Sequence, residues 1–334
     1  MTDQPVALTR VLVEADDKLR AGVSAGAAVW STGFAVLDRH LSGGFRSGEL
    51  VLLAGPQGLG KTTLALQVLR NVAAAGHAAL YLSFEHDAQA MLERLVALEM
   101  PQSSEFGELA GTVRDVRAAF DAEDGTARPL AERLAHTTGG LHALEAVRAY
   151  SDRLHVHRSS GSSTTLEVIR AVIEKVRAET GTAPMVVVDY LQKIPVPGVG
   201  VEDERVTTVV EGLKDLALDL ELPVLAIAAS DKEGIETGKR MRVQHLRGSS
   251  ALAYEADIVL IMNDKFDVVA RHHLVYDLGN ADRFRQWVVI TIEKNRSGQD
   301  KIDLEFRKRF EQGRFDTGGQ QVGEQLVDDR VFVE

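Results

Sequence analysis

The chain has 334 residues, 45% of them hydrophobic, with 49 acidic against 38 basic side chains and a formal net charge of -11. This content excludes a disordered chain and allows one large α/β domain with additions or two smaller ones, while the acidic balance excludes a surface that attracts nucleic acid as a whole. The absence of cysteine excludes a disulfide framework and a cysteine zinc ribbon; the start has no basic or apolar leader and no apolar run is long enough to span a bilayer, which together indicate a soluble cytoplasmic protein with no membrane partner.

In chain order, residues 6 to 20 place Leu8, Leu12, Ala15 and Leu19 on one face of an amphipathic helix, followed by a small-residue linker to Ala28. Such a helix can pack on its own domain or serve as an arm on a neighbouring subunit. After a short glycine-stopped helix at 37–44, Glu49 to Ala54 reads as a buried strand. It runs into Gly55-Pro56-Gln57-Gly58-Leu59-Gly60-Lys61-Thr62, a complete G-x-x-x-x-G-K-T phosphate loop, and helix-spaced apolar residues follow from Thr63. Between a strand end and a helix start, this loop gathers backbone N–H groups around a triphosphate, Lys61 adds a full positive charge and the Thr62 hydroxyl can reach Mg²⁺.

A second strand at 78–84 ends at Glu85, where ligands of open α/β sheets bind; a surface or capping role for this glutamate is the alternative. Residues 87 to 150 read as polar helical sequence without recognisable chemistry. Leu154 to His157 is a short strand whose two histidines are expected to be structural, and Thr164-x-x-Glu167 forms a capping box that opens a helix to about Glu179. Met185-Val186-Val187-Val188-Asp189 reads as a strand buried on both faces and ended by a carboxylate that pairs with a phosphate-loop Mg²⁺. Further strands are expected at 223–229, 256–262, 287–292 and 302–306, the last two as a hairpin joined by the basic turn Glu293 to Gly298. Between them, Lys232, Lys239, Arg240, Arg242 and Arg247 concentrate positive charge, either as a solvated loop or as a local nucleic-acid contact. An acidic tail from Thr317 is expected to be partly ordered at best.

Taken together, these motifs resemble the C-terminal ATPase domain of DnaB-type replicative helicases, a branch of the RecA-like fold. The pieces carrying the resemblance are Ser31-Thr32-Gly33-Phe34 with Leu37-Asp38, the phosphate loop, Leu82-Ser83-Phe84-Glu85, Val188-Asp189-Tyr190-Leu191-Gln192, His245-Leu246-Arg247 with Ala256-Asp257, and Lys294-Asn295-Arg296-Ser297-Gly298. They span about Thr9 to Phe315. The resemblance implies an α/β, RecA-like P-loop NTPase with a mostly parallel central sheet, divided into a linker-type helix and linker (1–28), an ATPase domain (29–316) and an acidic tail (317–334). It implies ATP and Mg²⁺ as cofactors. Gly55 to Thr63 would cradle the phosphates, Thr62 and Asp189 would hold the metal, Lys61 and Glu85 would act on the phosphate and the attacking water, and Lys294 and Arg296 would reach the neighbouring subunit's γ-phosphate. It also favours the arm role for the first helix and a hexameric ring.

Three departures from the family pattern are visible. About thirty residues precede the ATPase motifs, so the primase-interacting helical domain is expected to be lacking. The glutamine that couples phosphate to DNA is replaced by Ala229. The Arg-Glu-Ser-Gly of the second DNA loop reads Arg247-Gly248-Ser249-Ser250, keeping Arg247 and the backbone of Gly248 and Ser250 as nucleic-acid contacts. A RadA-type repair protein would need a cysteine module. The expected function is a ring ATPase that binds or translocates on single-stranded DNA, with 5′ to 3′ polarity implied by the resemblance alone; the alternative is an ATP-switched assembly or regulatory protein without unwinding. No particular protein partner is indicated.

Overall fold

The computed structural model describes residues 5–102, 107–121, 125, 127–231, 239–248, 250–275 and 278–329. Its strands in chain order are β1 (Val29–Trp30), β2 (Phe45–Arg46), β3 (Leu50–Ala54), β4 (Ala79–Ser83), β5 (Leu154–Arg158), β6 (Met185–Asp189), β7 (Val224–Ala228), β8 (Ile258–Asp264), β9 (Trp287–Asn295), β10 (Ile302–Arg309), β11 (Arg314–Phe315) and β12 (Gln320–Gln321). β1 and β2 form a small ribbon. The main sheet runs β5-β4-β6-β7-β3-β8-β9-β10-β11, with β12 also on β10. From β5 to β8 all pairs are parallel, and from β8 onward they are antiparallel.

Continuous apolar runs make this sheet possible, because each central strand is covered on both faces. Side chains alternate between two apolar clusters. Val51, Leu53, Tyr81, Val187, Leu225 and Ile227 meet the helix Lys61–Ala74 on one face. Leu50, Leu52, Leu80, Val186, Val188 and Ala226 meet the helices Leu166–Thr180 and Glu202–Asp219 on the other. A bidentate pair between Arg70 and the fully buried Glu99 ties Lys61–Ala74 to the helix Ala88–Glu99. The helix that leaves the phosphate loop is therefore tied to the helix that follows β4.

Two expectations need correction. The helix Leu166–Thr180 is capped by Thr165, whose hydroxyl accepts from the Val168 N–H, whereas Thr164 Oγ1 accepts instead from the Ser160 N–H at 2.8 Å. The acidic tail is docked through residue 329: Gln320 and Gln321 pair with Glu305 and Leu304, Val269 bridges Leu326, and the Arg240 N–H donates to the Asp328 carbonyl at 2.8 Å. Glu324 joins the buried Lys265–Glu305 pair, so the tail's carboxylates have fixed cationic partners.

The helix Leu8–Arg20 has no buried residue. Leu8 and Leu12 are 77% and 70% exposed, and Leu19 is 63% exposed. No helix among the described residues is long and apolar enough to cross a membrane.

Candidate active site

β3 carries the phosphate loop between β7 and β8, at the point where the chain's crossovers leave in opposite directions: β4 lies beyond β7 and β6 on one side, β8 on the other. Open α/β sheets bind ligands at such a switch point. Within the loop, Gly58 and Gly60 adopt φ of +82° and +86°, a left-handed backbone that suits glycine. A Cβ at Gly60 would also lie 2.8 Å from the Phe310 ring. Gln57 is exposed and Pro56 partly so, while Leu59 anchors the loop in the core.

Lys61 Nζ donates to the carbonyl oxygens of Gly55 at 2.7 Å and Pro56 at 2.9 Å. Burial holds its pKa below the usual lysine range, opposed by the negative charges of Asp189 and Glu85. One residue on, Thr62 Oγ1 donates to Asp189 Oδ2 at 2.8 Å, and the buried Tyr81 hydroxyl donates to the same oxygen at 2.7 Å. Burial first, then the Asp189 carboxylate, raises the Tyr81 pKa well above the ordinary phenol range, so it remains a donor. A hydroxyl and a carboxylate in contact at the mouth of an anion loop suit a hard cation such as Mg²⁺, which takes one or two protein oxygens and completes its shell with phosphates and water.

The cleft above the loop has a volume of about 590 Å³. Gly55, Gln57, Gly58, Gly60, Lys61, Thr62, Thr63, Glu85 and Asp189 all line it, together with Ala229 and Ser230 at the end of β7. Glu85 closely follows β4, with an exposed side chain.

Sequence reasoning missed the opposite wall. Arg94 and Arg117 line the cleft from the stretch read as chemically silent, with Val113, Phe310 and Gly313 beside them. Arg94 Nη2 lies 3.3 Å from His86 Nε2. Its signal was a cationic residue on a helix that opens, at the Asp87 cap, directly after Glu85. Arg117 has no local signature; the helix Val113–Phe120 brings it there through tertiary packing.

Lys294 and Arg296 are not in this cleft. β9 runs antiparallel to β8, and Asn295 pairs with Ile258, which pairs with Val51, whereas the loop end of β3 pairs Ala54 with Ile261. The two cations therefore lie at the opposite end of the strands, the far edge of the sheet as seen from the loop, on the order of 15 Å from their own phosphate loop at about 3.3 Å per residue. Lys294 Nζ donates to the carbonyls of Ala253 and Tyr254, and Arg296 donates to the Tyr254 carbonyl and pairs with Asp257 Oδ1 at 3.2 Å.

The nucleic-acid candidates separate. Arg240 is corrected from a surface contact to a buried structural residue, 5% exposed and bound to Asp303 and Thr291. Arg242 is half-buried and paired with Glu293 and Asp328. Lys239 bridges Asp329 through its backbone. Arg247 is exposed and pairs with Glu202 at 3.0 Å; Gly248 has φ +113° against Val206, and Ser250 is exposed. Lys232 and Ser249 lie outside the described residues. His155 and His157 contribute to no cluster of metal-ligating side chains among the described residues.

A phosphate loop at the switch point, a hydroxyl–carboxylate pair beside it and an exposed carboxylate across the cleft define a P-loop nucleoside triphosphatase of the RecA-like class. The family model for the DnaB-like helicase C-terminal domain matches residues 133–316, and a KaiC ATPase model matches residues 30–110. The chain belongs to the DnaB-like helicase C-terminal domain family. It is 28% identical over 235 residues to the replicative DNA helicase DnaB of Geobacillus stearothermophilus, covering 69% of this chain and 46% of that protein. To its counterpart in Pasteurella multocida it is 27% identical over 299 residues, covering 87% and 56%. The chain thus spans about half the length of the curated relatives it matches. Among solved structures, an ATPase domain aligns with a TM-score of 0.69 at 19% identity, over 93% of this chain and 99% of that one. A DnaB-like replicative helicase described with its primase interactions aligns with a TM-score of 0.68 at 18% identity, over 94% and 68%. These matches agree with the mostly parallel, helix-flanked sheet.

Proposed function

We propose that this chain is the ATPase of a hexameric, helicase-type motor acting on single-stranded DNA in the cytoplasm, with each active site shared between neighbouring subunits. The observation that carries this is the split of the cationic groups: Lys61 lies with Thr62, Asp189 and Glu85 in one cleft, while Lys294 and Arg296 stand at the far edge of the sheet. A neighbour in a ring is the natural recipient of that far edge. The exposed apolar face of Leu8–Arg20 supports the same assembly.

The chemistry follows from these positions. Lys61 and the loop N–H groups hold the β- and γ-phosphates, and Thr62 with Asp189 would hold Mg²⁺. When bound there, the ion would supply charge neutralisation on the phosphate oxygens. Glu85 orients a water for in-line attack; as its oxygen bonds to the γ-phosphorus, the bond to the ADP oxygen breaks and the water proton passes to the carboxylate side. The neighbour's Lys294 and Arg296 stabilise charge on the transferring group. Arg247, with the backbone at Gly248 and Ser250, offers the DNA contact.

The test is ATP turnover with and without single-stranded oligonucleotide across a salt series. Turnover stimulated by DNA and a binding constant that falls with salt are expected; no binding at low salt would remove the motor reading. One set of observations favours the alternative, an ATP-switched assembly protein: Arg242 is engaged by the tail, Arg247 by Glu202, and Ala229 offers no side-chain relay. ATP-driven unwinding of a forked duplex, abolished by Lys61→Ala, would dismiss that alternative.

A further inference from the structure

The short helix Ala251–Glu255 begins at Ser250, where the loop carrying Arg247 and Gly248 ends, and it terminates against the two far-edge cations. Its Leu252 is fully buried against the helix Glu202–Asp219, which fixes the element in the domain. Its last carbonyls are occupied from outside. Lys294 Nζ donates to Ala253 at 2.8 Å and to Tyr254 at 3.0 Å, and Arg296 donates to Tyr254 as well.

Immediately beyond this helix stands Asp257, 7% exposed, with both carboxylate oxygens in use. Oδ2 accepts from Lys214 Nζ at 2.7 Å and from the Leu50 N–H at 2.8 Å, the latter at the base of the phosphate-loop strand. Oδ1 faces Arg296 Nη1 at 3.2 Å, and the Asp257 carbonyl accepts from the Arg296 N–H at 2.9 Å. Arg296 itself is half exposed, so its guanidinium is tethered along one side and open on the other. Burial and the adjacent Arg296 charge lower the Lys294 pKa, and the Asp257 charge works against that. Without an anion here, two cations side by side would repel each other.

We propose that Asp257 and the carbonyl end of Ala251–Glu255 form a seat that positions Lys294 and Arg296 for the neighbouring subunit's nucleotide. Asp257 is a positioning residue: it touches no substrate and acts through Arg296. This inference rests on the shared-site reading given above.

Subunit mixing separates the two. In rings assembled from equal amounts of Lys61→Ala and Arg296→Ala chains, about a quarter of the interfaces combine an intact loop with an intact far edge. ATP turnover is therefore expected to recover well above that of either variant alone. Failure of this reference pair overturns the shared site itself. With the reference pair working, Asp257→Asn is expected to lower kcat by about tenfold while the KM for ATP stays within about twofold, because its own cleft is intact. It should be complemented by Lys61→Ala and not by Arg296→Ala. A purely structural role would show no such class. Recovery with Arg296→Ala, or no recovery with Lys61→Ala, overturns the seat. Thermal unfolding and ring assembly are measured alongside; should Asp257→Asn fail to fold, Asp257→Glu, which keeps the charge and displaces the Arg296-facing oxygen by one methylene, is put through the same mixing and judged by the same outcomes.

Discussion

Asp189 Oδ2 receives two hydroxyl donors, Thr62 and Tyr81, and they have different consequences. On the proposed function Thr62 would turn its hydroxyl to the cation, whereas Tyr81, buried within the sheet, holds the carboxylate in place. Tyr81→Phe is therefore expected to lower stability by about 1–3 kcal/mol, the cost of a lost buried hydrogen bond, and to lower turnover with little change in nucleotide affinity. Denaturant unfolding and steady-state kinetics measure both. Glu85 has the complementary signature: it makes no structural contribution evident in the cleft, so Glu85→Gln should keep nucleotide affinity, measured by a fluorescent analogue, and lower hydrolysis by at least about a hundredfold. Unchanged turnover would show that another group orients the water. The loop residues, Asp189 and Glu85 were legible in the sequence because each is marked by its position at a strand end. Arg117 and Phe310 were not, since packing alone brings them to the cleft.

At the scale of elements, the central parallel strands announced themselves through unbroken apolar runs, and the hairpin of β9 and β10 through the runs at 287–292 and 302–306, although β9 continues to Asn295 and so takes Glu293 and Lys294 out of the expected turn. The basic segment was left open between a solvated loop and a nucleic-acid contact for a physical reason: charge in sequence does not reveal its partners. Arg240 and Arg242 find Asp303, Glu293 and Asp328 from 51 to 86 residues away, distances over which no local pattern carries information. The same holds for the acidic tail, whose composition suggested weak order until its cationic partners were known. Glu99 is the structural counterpart of these pairs, fully buried against Arg70. Removing it leaves that guanidinium without its anion, so Glu99→Ala is expected to cost about 3–5 kcal/mol. It should lower the midpoint of thermal unfolding and loosen the wall that carries Arg94. A change below about 1 kcal/mol would show that the pair contributes little.

At the scale of the whole molecule, the proposed function would reconcile a net charge of -11 with DNA contact by confining that contact to the Arg247 loop, since Arg240 and Arg242 are neutralised within the fold by Asp303, Glu293 and Asp328. The helix Leu8–Arg20 belongs to this scale too. With no residue buried, it contributes little to the stability of its own domain, so replacing Leu8 and Leu12 together with serine should barely shift the unfolding midpoint of the dissociated chain. Sedimentation should show assembly shifted to higher protein concentration; an unaltered assembly curve would assign the helix another role.

The central claim, that each active site is completed by a neighbour, is tested most directly by ATP turnover per chain as a function of protein concentration, with particle size followed in the same samples. Turnover is expected to collapse as rings dissociate, with Arg296→Ala low at every concentration. Constant turnover per chain down to the fully dissociated state would contradict it.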